Sequence, residues 1–209
     1  MPKSRKSKRR NSAAGASNQG SVTQPAPAKN SFKSVFYAVV LGVAVIGGVS
    51  IWQIQTCEAA FLNVVAAQKG PLEGIQTRPN LGRGHLNPGQ SYRYPDRFPT
   101  SGPHAPVWTE PGVYNYSPPA IQLVHALEHG NIVIYHDQLA DDDLGTLKVW
   151  ANLYGGRWSG LVVARRPGMG QEVVLTAWRK IMRMKTFDAG AAAVFVDKYR
   201  GRGPEHPVR

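Results

Sequence analysis

The stretch SPPAIQLVHALEHGNIVIY, residues 117–135, writes a helix, a stop and a buried strand in one line. Ser117 is placed to cap the helix, with Pro118 in the first turn, where no N–H is needed. Ala120, Leu123, Val124 and Leu127 recur at helical spacing and form one apolar stripe. Gly130 supplies the C-terminal stop. IVIY, residues 132–135, is a β-branched run of the length and composition of a buried strand.

Working outward, the pattern repeats. DDDLGTLKVWANLYG, 141–155, reads as a second helix with its acids at the positive N-terminal end. Leu144, Leu147, Ala151 and Tyr154 share one face, and Gly155 follows. GLVVAR, 160–165, and EVVLTAW, 172–178, read as strands joined by RPGMGQ into an antiparallel hairpin. Asp188 caps a last helix running to Tyr199, with Gly201 behind it. With an early strand near 107–114, the order is βαβαββα, an α/β or α+β chain of thioredoxin-like topology. The IVIY and GLVVA strands are then parallel neighbours through a right-handed crossover. No CxxC is present, so thioredoxin redox chemistry does not follow. Residues 74–119 are loop-rich and hold nine of the sixteen prolines, with short strands expected around SYRY and VYNY.

The N-terminal part is of a different kind. Residues 1–34 hold 8 of the 25 basic residues and no acid, in a Ser/Ala/Asn/Gln/Pro-rich context that reads as a disordered cytoplasmic tail. VFYAVVLGVAVIGGVSIW, 35–52, is uncharged, and extended to Ile54 it reaches the roughly 20 residues needed to span a bilayer. Tyr37 and Trp52 sit near its ends, as interfacial aromatics do. A cleaved signal would need a small-x-small site, which is missing, so 35–54 reads as an uncleaved signal anchor. The basic cluster precedes it, which puts the N-terminus in the cytoplasm and the rest outside the membrane. Residues 55–70 look like a helical stalk ended by Gly70-Pro71, and 71–209 like one extracytoplasmic domain. The single cysteine, Cys57, has no intrachain partner. The remainder after residue 34 balances 17 basic against 13 acidic residues, so the basic excess argues for membrane orientation rather than nucleic-acid binding.

The chemistry-bearing residues are histidines. His125 and His129 are an i, i+4 pair with Glu128 beside them. His85 in GRGHLNPG and His104 in PTSGPHAPVW lie in stiff Gly/Pro settings. A metal site of His85, His104, His125, Glu128 and His129 would be nitrogen-rich and free of sulfur, which suits copper or zinc. HALEH also matches HxxEH, the pattern of zinc peptidases in which the motif Glu is the general base and a distant Glu, here Glu172 or Glu205, completes the ligands. A metal-free alternative is an interaction module using Trp108, Tyr114 and Tyr116 as an aromatic patch, or Trp108 as core.

PTSGPHAPVW, GVYN, VHALEHGNIVIY and LTAW…FDAGAAAVFVDKYRGRGPEH together resemble the bacterial family called domain of unknown function 3105, over roughly residues 72–206. The resemblance implies a membrane-anchored or secreted bacterial protein with a short basic N-terminus. It puts His104, His125, Glu128, His129 and His85 on motif positions. Asn131 departs from the small residue expected after HG. The family implies no reaction, so the most direct expectation is a metal-binding extracytoplasmic domain, with the interaction module and the HxxEH hydrolase as alternatives.

Overall fold

The computed structural model describes residues 53–69 and 72–209. The tail and most of the expected membrane segment lie outside them. Among the described residues no helix is long and apolar enough to cross a membrane.

Four helices flank a six-stranded mixed sheet. The strands are β1 (Gln76–Thr77), β2 (Gly112–Tyr114), β3 (Ile132–His136), β4 (Leu161–Arg165), β5 (Val173–Ala177) and β6 (Lys180–Met184). The helices are α1 (53–67), α2 (Ala120–His129), α3 (Asp141–Leu153) and α4 (Ala189–Tyr199). The sheet order is β1-β6-β5-β3-β4-β2. β3 and β4 are parallel neighbours, as expected for IVIY and GLVVA, and β2 is parallel to β4. The other pairings are antiparallel.

Alternation divides the core. Ile132 and Ile134 point to the face covered by α1, α3 and α4, where Leu147, Trp150, Phe195 and Val196 pack. Val133 and Tyr135 point to the other face, against Leu123, Ala126 and Leu127 of α2 and Phe98 of the loop region. This is period-two patterning with both faces buried, and the five residues of β3 are all buried. The segment read as a stalk, α1, is packed onto this core. Phe61 is 1% exposed and meets Trp150 and Tyr154 edge-on, with ring centroids 5.2 and 5.1 Å away. Cys57, on the same helix, is free and exposed.

Three sequence expectations are corrected. The hairpin expected between β4 and β5 does not form, because β3 lies between them. Residues 166–171 cross the end of β3 instead. Asp137 there accepts hydrogen bonds from Gly168 N at 2.9 Å and Arg165 Nε at 3.2 Å. The hairpin is β5–β6, closed by Trp178 and Arg179. That turn has no Gly, Asn or Asp; Arg179 itself takes φ 60°, so the usual hairpin signal is missing. The order from β2 onward is therefore βαβαβββα rather than βαβαββα. Second, Ser117 does not cap α2. The cap position is Pro119, whose carbonyl accepts from Gln122 N and Leu123 N, while Ser117 Oγ receives Arg166 Nη1. Third, SYRY is not a strand, and of VYNY only Val113 and Tyr114 lie in β2. Asp188 caps α4 as expected, accepting from Ala191 N at 3.0 Å.

Candidate metal centre

The end of α2 is where the fold concentrates chemistry. Its apolar side faces the sheet, which turns His125, Glu128 and His129 toward the loops. An α-helix advances about 100° per residue, so Glu128 lies about 60° to one side of His125 and His129 about 40° to the other. His125 is the middle of three.

Two loops are drawn to the Glu128 side. Residues 82–86 and 102–104 run side by side: Gly102 N donates to Gly82 O, His104 N to Gly84 O, and Leu86 N to His104 O at 2.7 Å. This pairing brings His85 against His104 as a parallel bridge. Ser101 Oγ, receiving Leu81 N and donating to Pro79 O, fastens the same two segments. Ala105 N bonds Ile121 O in the first turn of α2, which sets the loop on the helix. The region that reads as irregular is thus cross-linked by backbone hydrogen bonds.

The C-terminal segment comes to the His129 side. α2 ends in a Schellman arrangement: Gly130 takes φ 102°, Asn131 N bonds Ala126 O and Gly130 N bonds Leu127 O. Gly130 O then accepts from Gly201 N, and Glu128 O from Glu205 N. Gly203 is needed here because a Cβ would collide with Glu128 O and Gly130 N. The result carries Glu205 to the histidines. Asn131 is fully buried and its Oδ1 accepts Gly160 N at 2.7 Å, so it ties the end of α2 to the start of β4.

Six side chains named from the sequence, the five expected ligands and Glu205 of the HxxEH alternative, make two overlapping groups. In the first, donor atoms of His85, His104, His125 and Glu128 all lie within 4.8 Å of one another; in the second, those of His125, His129 and Glu205 do. The five-ligand set expected from the sequence is therefore divided: His129 joins the second group and not the first. His104 Nε2 is 3.0 Å from Glu128 Oε2, and His129 Nε2 is 3.0 Å from Glu205 Oε2. Glu172 joins neither group and pairs with Arg183. His136 closes β3 and also joins neither. His206 stacks on Trp158, 5.1 Å between centroids.

Hydrogen bonding fixes the ring tautomers. Carbonyls only accept, so His104 Nδ1, 2.9 Å from Gly102 O, and His125 Nδ1, 2.7 Å from Ala105 O, both carry the proton. In a neutral ring the lone pair is then on Nε2. His104 Nε2 is buried and, although 3.0 Å from Glu128, is not aligned for a hydrogen bond with it. An imidazole whose far N–H is held by a backbone carbonyl is the usual setting of a metal ligand.

Burial sets the charges. His104, His125, Glu128 and His129 are between 0 and 4% exposed, while Glu205 keeps a side chain 40% exposed. Burial, reinforced by His104 and His85, lowers His125 to a pKa of about 4 against the opposing bond to Ala105. Burial and the neighbouring His125 lower His129 to about 4. Burial raises Glu128 above the usual carboxylate range, with His104 opposing. At neutral pH, His125 and His129 are uncharged bases.

Aromatic rings wall the second group. Trp108 lies 4.8 Å from His129 and 5.6 Å from His125, and Trp158 lies 4.3 Å from His129, all between centroids. The Arg157 guanidinium lies over the Trp108 ring, 4.5 Å from its centroid. Trp108 is half-buried against the α2 face of the sheet, so it is neither free patch nor deep core. Tyr116, at 56% exposed, is the outermost of the three aromatics named above. Sequence reasoning missed Trp158 and Arg157, which sit in a turn without any local motif.

A family model described as a protein of unknown function, DUF3105, matches residues 85–209. The match contains all six side chains of the two groups. No curated protein and no solved structure gives a significant match.

Proposed function

We propose that this chain, which belongs to the DUF3105 family of unknown function, is a membrane-anchored extracytoplasmic protein whose folded domain binds a copper or zinc ion at the end of α2. The observation that carries the proposal is the first group: three imidazoles and a carboxylate, from α2 and two loops, with donor atoms within 4.8 Å of one another. His104 and His125 have their Nδ1 protons committed to carbonyls, which leaves Nε2 to bind. His125 and His129 stay unprotonated to about pH 4, so a cation need not displace a proton from them at neutral pH. The last turn of a helix is the negative end of its dipole and favours positive charge there. Nitrogen and oxygen donors without sulfur suit zinc or copper.

The test is metal analysis of the purified full chain, loaded with copper or zinc and dialysed. About one ion per chain is expected, lost in His125→Ala, whose ring belongs to both groups. Wild type without metal, or His125→Ala with as much as wild type, would end the proposal.

The zinc-hydrolase reading has one observation in its favour. His125, His129 and Glu205 form a two-imidazole, one-carboxylate set of the kind that leaves a coordination position open for water. Glu128, the motif base, turns instead toward His104. This reading requires chelator-sensitive cleavage of a peptide library that disappears in Glu128→Gln.

The anchor is residues 35–54, with the tail 1–34 cytoplasmic, argued from hydropathy and charge. Protease protection of the tail in sealed vesicles tests the orientation. The order β4-β3-β5-β6 followed by α4 supports a thioredoxin-like core used without cysteine chemistry.

A further inference from the structure

We infer that the cluster is a one-ion site with two alternative positions sharing His125, one for holding the ion and one for exchanging it with the outside. The inference rests on the metal-binding reading above.

The first reason is the shared donor. His125 belongs to both groups, but its Nδ1 proton is bonded to Ala105 O at 2.7 Å. Only Nε2 remains, and a neutral imidazole nitrogen has one lone pair, directed at one ion. The two groups therefore cannot both be complete at once. The cause is helical: Glu128 and His129 stand on opposite sides of His125, so each recruits a different partner segment to a common middle ligand.

The second reason is the difference between the sets. The holding position offers four donors, His85, His104, His125 and Glu128. Four nitrogen and oxygen ligands close a tetrahedral shell. The exchange position offers three, His125, His129 and Glu205, and leaves a coordination site for water or an incoming ligand. Each set has one exposed member, His85 in the first and Glu205 in the second, and it is the carboxylates that differ. Glu128 is buried in the middle of α2's last turn, whereas Glu205 is on the C-terminal segment with its side chain 40% exposed. Each set carries one carboxylate, so a divalent ion meets the same formal charge in either. Transfer between them needs His125 to remain bound while Glu205 and His129 are replaced by Glu128, His104 and His85. No electron has to move.

The experiment uses the full chain and Cu(II) as the probe, with electron paramagnetic resonance, titration and release to an external chelator. Wild type saturates at about one equivalent and shows two sets of copper signals. Glu205→Gln, a conservative change at a partly exposed side chain, keeps the stoichiometry, loses one set and releases copper roughly tenfold more slowly. Glu128→Gln keeps the stoichiometry, loses the other set and releases copper roughly tenfold faster. Circular dichroism of each variant establishes that it is folded. Two equivalents bound by wild type would overturn the inference while leaving metal binding intact. So would release rates that move in the same direction, or do not move, in the two variants. A wild type that binds no copper or zinc would instead overturn the reading beneath it.

Discussion

Acid should unfold the metal-free domain through the same histidines that would hold the ion. His125 and His129 ordinarily titrate near 6.5 and are lowered to about 4, in both cases chiefly by burial. The unfolded chain then takes up two protons, as pH falls from about 6.5 to about 4, that the folded chain refuses. Stability rises with pH wherever the unfolded state binds more protons, so it must fall through this window as the solution is acidified. One pKa unit is worth about 1.4 kcal/mol, which bounds each histidine at ~3 kcal/mol. His136, lowered mainly by burial and then by Arg165, acts in the same direction. Glu128 opposes them. Its raised pKa makes the folded chain hold a proton that the unfolded chain has released, which adds stability as pH drops toward the ordinary carboxylate value. The net loss between pH 7 and pH 4.5 is then ~3–5 kcal/mol, a large part of the ~5–15 kcal/mol that holds a typical domain together. The assay is urea unfolding followed by tryptophan fluorescence, with chelator present, at several pH values from 7.5 to 4.5. His125→Asn with His129→Asn should flatten the dependence. A wild-type stability constant to within about 0.5 kcal/mol over that range would refute the reasoning, since it would mean these rings protonate freely in the fold.

Four further outcomes are expected. Gly130→Ala puts a side chain at φ 102° with its Cβ 2.7 Å from Gly203 N and 2.8 Å from Trp158 O, so it should destabilise the domain by ~2–4 kcal/mol in thermal melts and detach Glu205 from His129. Phe61→Ala removes a ring wedged against Trp150 and Tyr154 and should cost about 3–5 kcal/mol in urea unfolding; a loss below about 1 kcal/mol would show that α1 is not part of the folded unit. Asp188→Ala deletes the α4 cap and should lower stability by about 1 kcal/mol, with Asp188→Asn recovering most of it. Saturating zinc or copper at about 100 times its dissociation constant should add ~2.7 kcal/mol of stability, reversed by chelator and missing in His125→Ala.

Secondary structure was legible where burial and periodicity coincide. β3 and β4, apart from the exposed Arg165 that ends β4, are apolar runs buried on both faces; composition identifies them as strands, and the helix between them makes them parallel neighbours. β6 was not legible, because Lys180 and Arg183 break the apolar run of KIMRM and its turn uses Arg179 at positive φ. The β4–β5 hairpin was a reasonable error. Two strands joined by a short Gly/Pro turn are normally neighbours, and nothing local reports that β3 will be inserted between them.

The site divides along the same line between local and non-local information. The i, i+4 pair and Glu128 follow from helix spacing, so their presence on one side of α2 could be read directly. That His85 and His104 join them depends on the pairing of 82–86 with 102–104, an arrangement of backbone hydrogen bonds with no sequence periodicity. Helical spacing also contained something a ligand roster conceals. Residues three and four ahead of a histidine are close to it but on opposite sides, so HxxEH cannot aim both its Glu and its second His at one point on the same flank of the first His. The fold resolves that conflict by giving each flank its own partner: the Gly/Pro loops for Glu128 and the C-terminal segment for His129. The GxG at 201–203 is what lets the second partner arrive, through close backbone approach at Gly203 and positive φ at Gly201. It follows that a change at either glycine should displace Glu205 from His129 while leaving the pairing of 82–86 with 102–104, and so the contact of His85 with His104, in place.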